Sequence, residues 1–161
     1  MIIRPALPAD AAAICAIWNQ IIRDTDITFN SVEKTVADVE ARIAEKAALG
    51  YAMLVAEDNG VQGFATYDQF RPGLGYQHTG EHSITLDPGA RGRGIGRRLL
   101  AELEAHAKTR GFQTMFACVS AENPAGVKFH AALGYQEVAI LPKVGFKFDR
   151  WLDLILMRKR L

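Results

Sequence analysis

The sequence has little cysteine, almost no excess charge and no long hydrophobic run. Its two cysteines, Cys15 and Cys118, are too few for a disulfide framework, and neither lies in a metal-binding spacing. The formal net charge is only +1, so no overall field attracts nucleic acid or a membrane surface. A charged-then-apolar leader is also absent. We therefore expect a cytoplasmic protein with no metal, membrane or nucleic-acid partner.

The chain length and the hydrophobic pattern predict a single domain over residues 1–161. Nearly half of the residues, 49%, are hydrophobic, which is enough for one sizeable core. The periodicities predict an α+β fold, with one mixed, mainly antiparallel sheet and helices on both faces. The predicted strands cover residues 2–4, 51–57, 61–67, 81–86, 114–119, 135–140 and 151–157, and the predicted helices cover residues 10–22, 35–49, 94–111 and 123–133.

A run rich in glycine and arginine, Arg91–Gly96, separates the predicted strand 81–86 from the helix that follows it. Three glycines in five positions allow the backbone to approach a ligand closely. The first N–H groups of a helix have no partner within the helix, and with the helix dipole they attract anions. The run therefore predicts a pyrophosphate site, surrounded by Arg91, Arg93, Arg97 and Arg98.

The spacing within this run excludes the two common phosphate-binding fingerprints. A Walker A loop requires Lys and then Ser or Thr after its last glycine, and a dinucleotide loop requires glycines at positions 1, 3 and 6. Here Ile95 follows Gly94, and position 6 counted from Gly92 is Arg97. The pattern Arg-x-x-Gly-x-Gly resembles the coenzyme A loop of the GNAT superfamily of N-acetyltransferases, whose order of elements matches the whole chain.

Three further stretches resemble one branch of that superfamily, the phosphinothricin and methionine-sulfoximine N-acetyltransferases. They are Phe70–Pro72, Glu81–Ser83 and the most specific, Gly145–Leu154. Two departures occur, because residues 73–80 differ from the usual sequence and Asp149 replaces an expected small residue. The resemblance implies acetyl-CoA as co-substrate, a small-molecule amine as acceptor and a homodimer. The first departure adjoins the expected substrate pocket and leaves the natural amine open.

Glu81 is the candidate catalytic base. Transfer of an acetyl group to an amine requires a neutral amine and a stabilised thioester oxygen. Glu81 stands at the start of the strand that leads into the coenzyme loop, and strand alternation places Glu81 and Ser83 on one face and His82 on the other. A partly buried carboxylate has a raised pKa and can take the proton of an amine. The alternative is an exposed glutamate at a strand end.

His130 is the candidate that gives a proton to the departing thiolate. The stretch Phe129–Tyr135 resembles a family pattern, Leu-Tyr-x-x-x-Gly-Phe, whose tyrosine has this role. Histidine takes the tyrosine position here, as it does in the phosphinothricin branch, and imidazole can donate at neutral pH. The alternative is a helix histidine bonded to a loop. The other histidines, His78, His82 and His106, are predicted to be structural or solvated.

The coenzyme and substrate residues follow from the resemblance. Asn123 also suits a plain helix N-cap, and Lys128 suits a solvated position. The implied coenzyme-binding residues are Ile84, Thr85, Leu86, Arg91, Gly92, Arg93, Gly94, Ile95, Gly96, Arg97, Asn123 and Lys128. Arg71 is the candidate for the acid group of the substrate, because a guanidinium binds a carboxylate or phosphinate with two parallel hydrogen bonds. The other substrate candidates are Phe29, Tyr76, Ser83 and Phe146, the aromatic ones having ordinary packing as their alternative.

The predicted function is transfer of an acetyl group from acetyl-CoA to the α-amino group of a small amino-acid analogue. Phosphinothricin, methionine sulfoximine and methionine sulfone are the expected kinds of substrate. One alternative is an acetyltransferase for another amine, such as a polyamine, an aminoglycoside or a protein N-terminus, and Arg71 argues against a polycation. The other is a non-catalytic acyl-CoA sensor, against which the presence of both Glu81 and His130 argues.

Overall fold

The computed structural model describes all residues, 1–161, as seven strands in one sheet with four α-helices. The strands are β1 (Ile2–Pro5), β2 (Met53–Glu57), β3 (Val61–Gln69), β4 (Thr79–Leu86), β5 (Thr114–Ser120), β6 (Gln136–Lys147) and β7 (Arg150–Arg160). The helices are α1 (Ala11–Asp24), α2 (Val36–Leu49), α3 (Ile95–Thr109) and α4 (Pro124–Ala132). This mixed architecture confirms the predicted fold class and the predicted order of elements.

The sheet has the strand order β1-β2-β3-β4-β5-β7-β6. All neighbouring strands are antiparallel except β4 and β5. A parallel pair needs a crossover connection, and α3 supplies it. The glycine-rich run therefore lies where the chain leaves β4 and enters this crossover helix.

Hydrophobic side chains cover both faces of the sheet. On one face, α1 and α2 contribute Ile14, Val39 and Ile43, which pack with Phe64 of β3 in a cluster of 10 buried residues. On the other face, α3 packs on a cluster of 17 buried residues that includes Leu99, Leu103, Tyr67, Phe112 and Met115. The 3.6-residue spacing of the helix positions explains why one stripe of each helix is buried.

Cap residues fix both ends of α2. Thr35 Oγ1 accepts a hydrogen bond from the Asp38 N–H at 3.1 Å, and the Asp38 carboxylate accepts one from the Thr35 N–H at 2.7 Å. Gly50 ends the helix with a φ of 69°, which a residue with a Cβ adopts only at a cost. These residues fix both ends of α2 independently of its packing.

The last two strands are longer than the sequence predicts. Pro142 and Gly145 suggest an end to the strand, yet β6 runs through both of them. The reason is that β6 lies at the edge of the sheet, where proline is tolerated, and its pairing with β7 is irregular between Leu141 and Gly145. The hairpin turns at Phe148 and Asp149, whose φ values of 51° and 58° match a type I′ turn.

The gap between β4 and β5 creates the space for a site. The two strands pair only from Thr79 and Thr114 to His82 and Ala117. Beyond that point both strands continue, β4 to Leu86 and β5 to Ser120, without pairing with each other. The backbone of residues 83–86 therefore faces an opening in the middle of the sheet. None of the helices is long and apolar enough to cross a bilayer.

Candidate active site

Two cavities adjoin at the gap between β4 and β5. The inner cavity has a volume of about 290 Å³ and lies between the two strands, where it is walled by α1 and the 27–30 segment. The loop cavity has a volume of about 440 Å³ and lies between the glycine-rich run and α4. Six residues line both cavities: Ile21, Ile27, Ile84, Thr85, Asn123 and His130.

The loop cavity exposes backbone donors. Gly92 and Gly94 have φ values of 74° and 76°, and a Cβ placed on either residue would meet no atom within 4 Å. The chain therefore presents bare backbone here. The first backbone hydrogen bond of α3 joins the Arg98 N–H to the Gly94 carbonyl oxygen. The N–H groups of residues 95–97, in the first turn of α3, therefore remain free for a ligand. Such an arrangement binds a phosphate or pyrophosphate.

Ten of the twelve residues predicted for the coenzyme line the loop cavity, and two do not. Arg93 turns away because its guanidinium donates to the Asp58 carboxylate at 2.8 Å. Lys128 lies on the exposed side of α4. Asn123 lines both cavities, and its Oδ1 caps α4 by accepting from the Gly126 N–H at 2.9 Å.

Glu81 lines the inner cavity. Glu81 pairs with Asp68 of β3, and Ser83 pairs with Thr66. Both side chains lie on one face of β4, as predicted, and this face is the one that α1 and α2 cover. Burial raises the pKa of the Glu81 carboxyl, the Asp68 charge raises it further and a hydrogen bond with Cys118 opposes the rise. Burial together with Glu81 raises the pKa of the Cys118 thiol to about 12. The thiol therefore stays protonated and faces the carboxylate as a donor.

His130 lies at the junction of the cavities with one nitrogen free. Its Nδ1 lies 2.8 Å from the Gly126 carbonyl oxygen, which can only accept, so Nδ1 carries the proton. Its Nε2 has no partner and is buried. Burial lowers the pKa of His130, so the neutral ring has a lone pair on Nε2. The predicted transfer to a thiolate therefore requires that Nε2 first receive a proton.

His82, which the sequence analysis predicted to be structural or solvated, belongs to the wall of the inner cavity. It lines the inner cavity with only 5% of its surface exposed, and neither ring nitrogen has a partner. Its ring lies 5.1 Å from that of His130 and 5.5 Å from that of Tyr135. Burial, with smaller contributions from His130 and Lys159, lowers the pKa of His82 to about 3. Only the position of α4 against β4 reveals this pair.

Two of the predicted substrate residues line the inner cavity, and three do not. Phe29 and Ser83 belong to its wall. Arg71 follows β3 in an exposed loop, where the Gln69 amide donates to the carbonyl oxygens of Arg71 and Gly73. Tyr76 packs on Phe70 in the same loop, and Phe146 faces outward against Trp151. Within one chain, these three side chains lie outside the cavity.

Residues of the run Gly145–Leu154 bind the segment 25–29, which forms part of the wall of the inner cavity. Lys147 Nζ donates to the carbonyl oxygens of Thr25 and Thr28 at 2.5 and 2.9 Å, and Arg150 pairs with Asp26. A Cβ on Gly145 would overlap the ring of Phe29. The β6–β7 hairpin therefore holds residues 25–29 over the cavity by two cations and one close contact.

A cavity that offers backbone donors to phosphates, and opens into a second one containing a carboxyl and an imidazole, has the form of a coenzyme-dependent acyltransferase site. The model of the acetyltransferase (GNAT) domain matches residues 3–156, nearly the whole chain. The chain belongs to this family. Among the residues described, no group of three or more His, Cys, Asp or Glu side chains could hold a metal ion.

Similar proteins fall in the branch that the sequence motifs resemble. An L-methionine sulfoximine/L-methionine sulfone acetyltransferase of Salmonella typhimurium is 39% identical, over 100% of this chain and 95% of its own. A phosphinothricin N-acetyltransferase of Alcaligenes faecalis is 36% identical, over 94% of this chain and 78% of its own. The structure of an acetyltransferase from Salmonella typhimurium with acetyl-CoA superposes with a TM-score of 0.96 at 38% identity, covering 100% and 94% of the two chains. These findings confirm the family resemblance.

Proposed function

We propose that this protein transfers an acetyl group from acetyl-CoA to the α-amino group of a small amino-acid analogue, such as methionine sulfoximine, methionine sulfone or phosphinothricin. The observation that carries the proposal is the junction of the two cavities, where His130 lies between the anion-binding loop and the inner cavity that Glu81 lines. The small volume of the inner cavity and the activities named for the relatives support an acceptor of this size.

The loop cavity is the proposed place for the coenzyme. Acetyl-CoA, when bound, supplies an activated acetyl thioester. The free N–H groups of residues 95–97 and the guanidinium groups of Arg91 and Arg97 would hold its phosphates. Residues 84–86 pair with β3 but not with β5, and their open side would hold the chain that leads to the thioester, because an open strand edge pairs readily with an extended amide-containing chain.

Glu81 is the proposed base that neutralises the substrate ammonium. A protonated amine has no lone pair, so one proton must leave before the nitrogen can attack. The buried carboxyl has a raised pKa and is therefore a stronger base than a solvated one. The protonated Cys118 thiol beside it can orient the carboxylate without competing for the proton.

Arg71 is the proposed contact for the acid group of the substrate at the cavity entrance. No lysine or arginine lines the inner cavity itself, so an acid group has no cationic partner inside. The Arg71 guanidinium is exposed and makes no hydrogen bond or ion pair with the rest of the chain. Tyr76 and Phe146 would complete the entrance only if the loop 70–78 or a second subunit closed over it.

A homodimer in the cytoplasm is the proposed state of the protein. The β6–β7 hairpin, at the edge of the sheet, exposes six large apolar side chains: Val138, Ile140, Val144, Phe146, Phe148 and Trp151. Such a concentration is typical of a protein interface. Both cysteines are free thiols, as is usual in a reducing compartment.

The experiment that tests the function is release of free thiol from acetyl-CoA with a panel of amines. The panel holds methionine sulfoximine, methionine sulfone, phosphinothricin, spermidine, an aminoglycoside and a short peptide. We expect saturable turnover on the first three, with Arg71→Ala raising KM for the amine and Arg158→Ala, at another exposed arginine, leaving it unchanged. Turnover on the other amines alone would reject the substrate class. Acetyl-CoA binding without any turnover would favour the acyl-CoA sensor.

A further inference from the structure

Three buried ring nitrogens without partners meet in one part of the molecule. They are Nδ1 and Nε2 of His82 and Nε2 of His130, and they are the only buried side-chain nitrogens or oxygens of the chain that lack a hydrogen bond. A buried polar group that is left unpaired loses its hydrogen bonds to water and gains none in the folded protein. Because buried polar groups are nearly always satisfied, three failures within one pair of adjacent rings point to a missing shared partner.

The position of the pair shows what that partner can be. Both residues belong to the wall of the inner cavity, and their ring centroids are 5.1 Å apart. No protein side chain stands ready to pair with them, since the Tyr135 hydroxyl donates to Glu104 at 2.8 Å. The cavity of about 290 Å³ is large enough for water molecules as well as a substrate, since one water occupies about 30 Å³ and needs two to four polar partners.

The protonation of the two rings fixes the direction of the hydrogen bonds. His130 keeps its proton on Nδ1, so its Nε2 can only accept while the ring is neutral. A neutral His82 has one N–H to donate and one lone pair. A water molecule between the rings can therefore accept from the His82 N–H and donate to His130 Nε2, with further positions left for a substrate atom.

Acetyl transfer to an amine moves two protons, and Glu81 accounts for only the first. As the new C–N bond forms and the C–S bond breaks, the attacking nitrogen loses a second proton and the departing sulfur gains one. Strand alternation keeps Glu81 on the opposite face of β4 from His82. A separate group must therefore carry the second proton across the junction.

We propose that His82 and His130 hold one water molecule between their rings and that His130, through this water, takes the second proton from the nitrogen and returns it to the sulfur. This step rests on the proposed function. His130 ends with the proton with which it began, and the proton that Glu81 took from the ammonium leaves to solvent, so no other reactant is needed. His82 is then a positioning residue that orients the water, and His130 is the group that is transiently protonated.

The surroundings keep the pair neutral before reaction. The charged and titratable groups that face it are Tyr135, which follows α4, Glu104 of α3 and Lys159 of β7. Lys159 Nζ donates to Glu104 at 2.6 Å, so these two opposite charges neutralise each other. Burial lowers the pKa of both histidines, and Lys159 lowers that of His82 further. Both rings should therefore remain uncharged at neutral pH.

The first test examines the histidines without any substrate. Nitrogen NMR of the free protein, labelled at histidine, is recorded from about pH 5 to pH 8, the range in which an ordinary histidine titrates. We expect both rings to stay neutral, His130 to carry its proton on Nδ1, and a long-lived water to show cross-relaxation with the ring protons of both residues. A cationic His82, or the absence of such a water, would overturn the proposal.

The second test uses substitutions and turnover. His82→Phe should lower kcat by about 10- to 100-fold with little change in KM, since it removes the partner of the water and keeps the ring volume. His82→Asn, which keeps a donor and an acceptor, should recover part of the loss. His106→Phe is the matched control, because His106 is also partly buried beside a tyrosine but lies outside both cavities.

The two tests separate this inference from the proposed function. Normal kcat in a folded His82→Phe protein would overturn the water relay while leaving the acetyltransferase intact. If His82→Phe does not fold, the His82→Asn protein and the NMR measurement decide. If the protein turns over no amine, the proposed function fails, the proton step falls with it, and the NMR result alone decides whether the histidines share a water.

Discussion

At the scale of single residues, the surroundings determine what each ionisable group can do. Glu81 and Glu137 have the same side chain, but Glu81 is enclosed by the inner cavity whereas Glu137 is exposed on β6. Burial raises the pKa of Glu81 and lowers that of His130, in both cases because water no longer stabilises the charged form. A carboxyl with a raised pKa and a neutral imidazole therefore line the same inner cavity.

Glu81→Gln should remove activity and increase stability at neutral pH. The folded-state pKa of Glu81 lies above its ordinary value of 4.5, so the ionised carboxylate destabilises the folded state at pH 7. Below the unfolded pKa the residue is protonated in both states and this penalty disappears. We expect kcat to fall about 100-fold or more, and the melting temperature of the variant to exceed that of the wild type at pH 7 but to approach it in acid.

The check on Glu81 is the pH dependence of both quantities. The acid limb of kcat/KM in the wild type should lie above pH 4.5, because the base works only when ionised. Glu137→Gln is the control and should change neither turnover nor the melting profile. Wild-type turnover of Glu81→Gln at neutral and alkaline pH alike would reject the catalytic role.

Gly145→Ala should disturb substrate binding from outside the cavity. The added Cβ would overlap the ring of Phe29, so the segment over the inner cavity must shift. We expect KM for the amine to rise and KM for acetyl-CoA to stay constant, with a loss of about 1–3 kcal/mol in the free energy of unfolding. Steady-state kinetics and denaturant melts measure these changes. Gly75→Ala, where a Cβ meets no atom within 4 Å, is the control that should leave the free energy of unfolding unchanged.

The sequence predicts those site residues whose roles depend on local order along the chain. The glycine-rich run, Asn123 and Glu81 stand next to strand ends or helix starts that periodicity locates, and all three line the cavities. The place of His82 beside His130 could not be predicted in this way, because His130 is 48 positions away and its ring meets that of His82 only through the packing of α4. The position of Arg71 outside the cavity likewise depends on the path of a loop.

At the scale of elements, the sequence predicts the bounds of a helix or hairpin well when the residues that determine them lie within that element. The ends of α2 follow from its own cap residues, and the hairpin of β2 and β3 follows from Asn59, which adopts a φ of 55°. The length of β6 depends instead on its place at the sheet edge, because an interior strand would not tolerate Pro142. Edge position is decided by the whole sheet, so local sequence underestimates this strand.

Thr35→Ala tests the contribution of the cap to α2. The substitution leaves the Asp38 N–H without its partner and should lower the free energy of unfolding by about 1 kcal/mol. Thr35→Ser keeps the hydroxyl and should lose much less. Equilibrium denaturation in urea measures both. Equal stability of the alanine protein and the wild type would mean that packing alone determines where α2 begins.

At the scale of the whole molecule, one hairpin connects the active site with the outer surface. The inward side of β6–β7 holds residues 25–29 through Lys147 and Arg150, while its outward side presents apolar rings. Phe146 and Trp151 are paired across the hairpin, with centroids 5.2 Å apart, and are 52% and 61% exposed. Contact between two such hairpins would cover these rings and stiffen the wall of each cavity.

Trp151→Glu should therefore separate the subunits and weaken the site together. The wild type should have a solution mass of twice 17.7 kDa by light scattering, whereas a charge at the centre of an apolar contact costs enough to dissociate it. We expect monomers with a raised KM for the amine and nearly unchanged binding of acetyl-CoA, because the loop cavity lies apart from the hairpin. Leu49→Glu, at a half-exposed apolar residue at the end of α2, should stay dimeric. A monomeric wild type with full turnover would show that one chain is sufficient for the site.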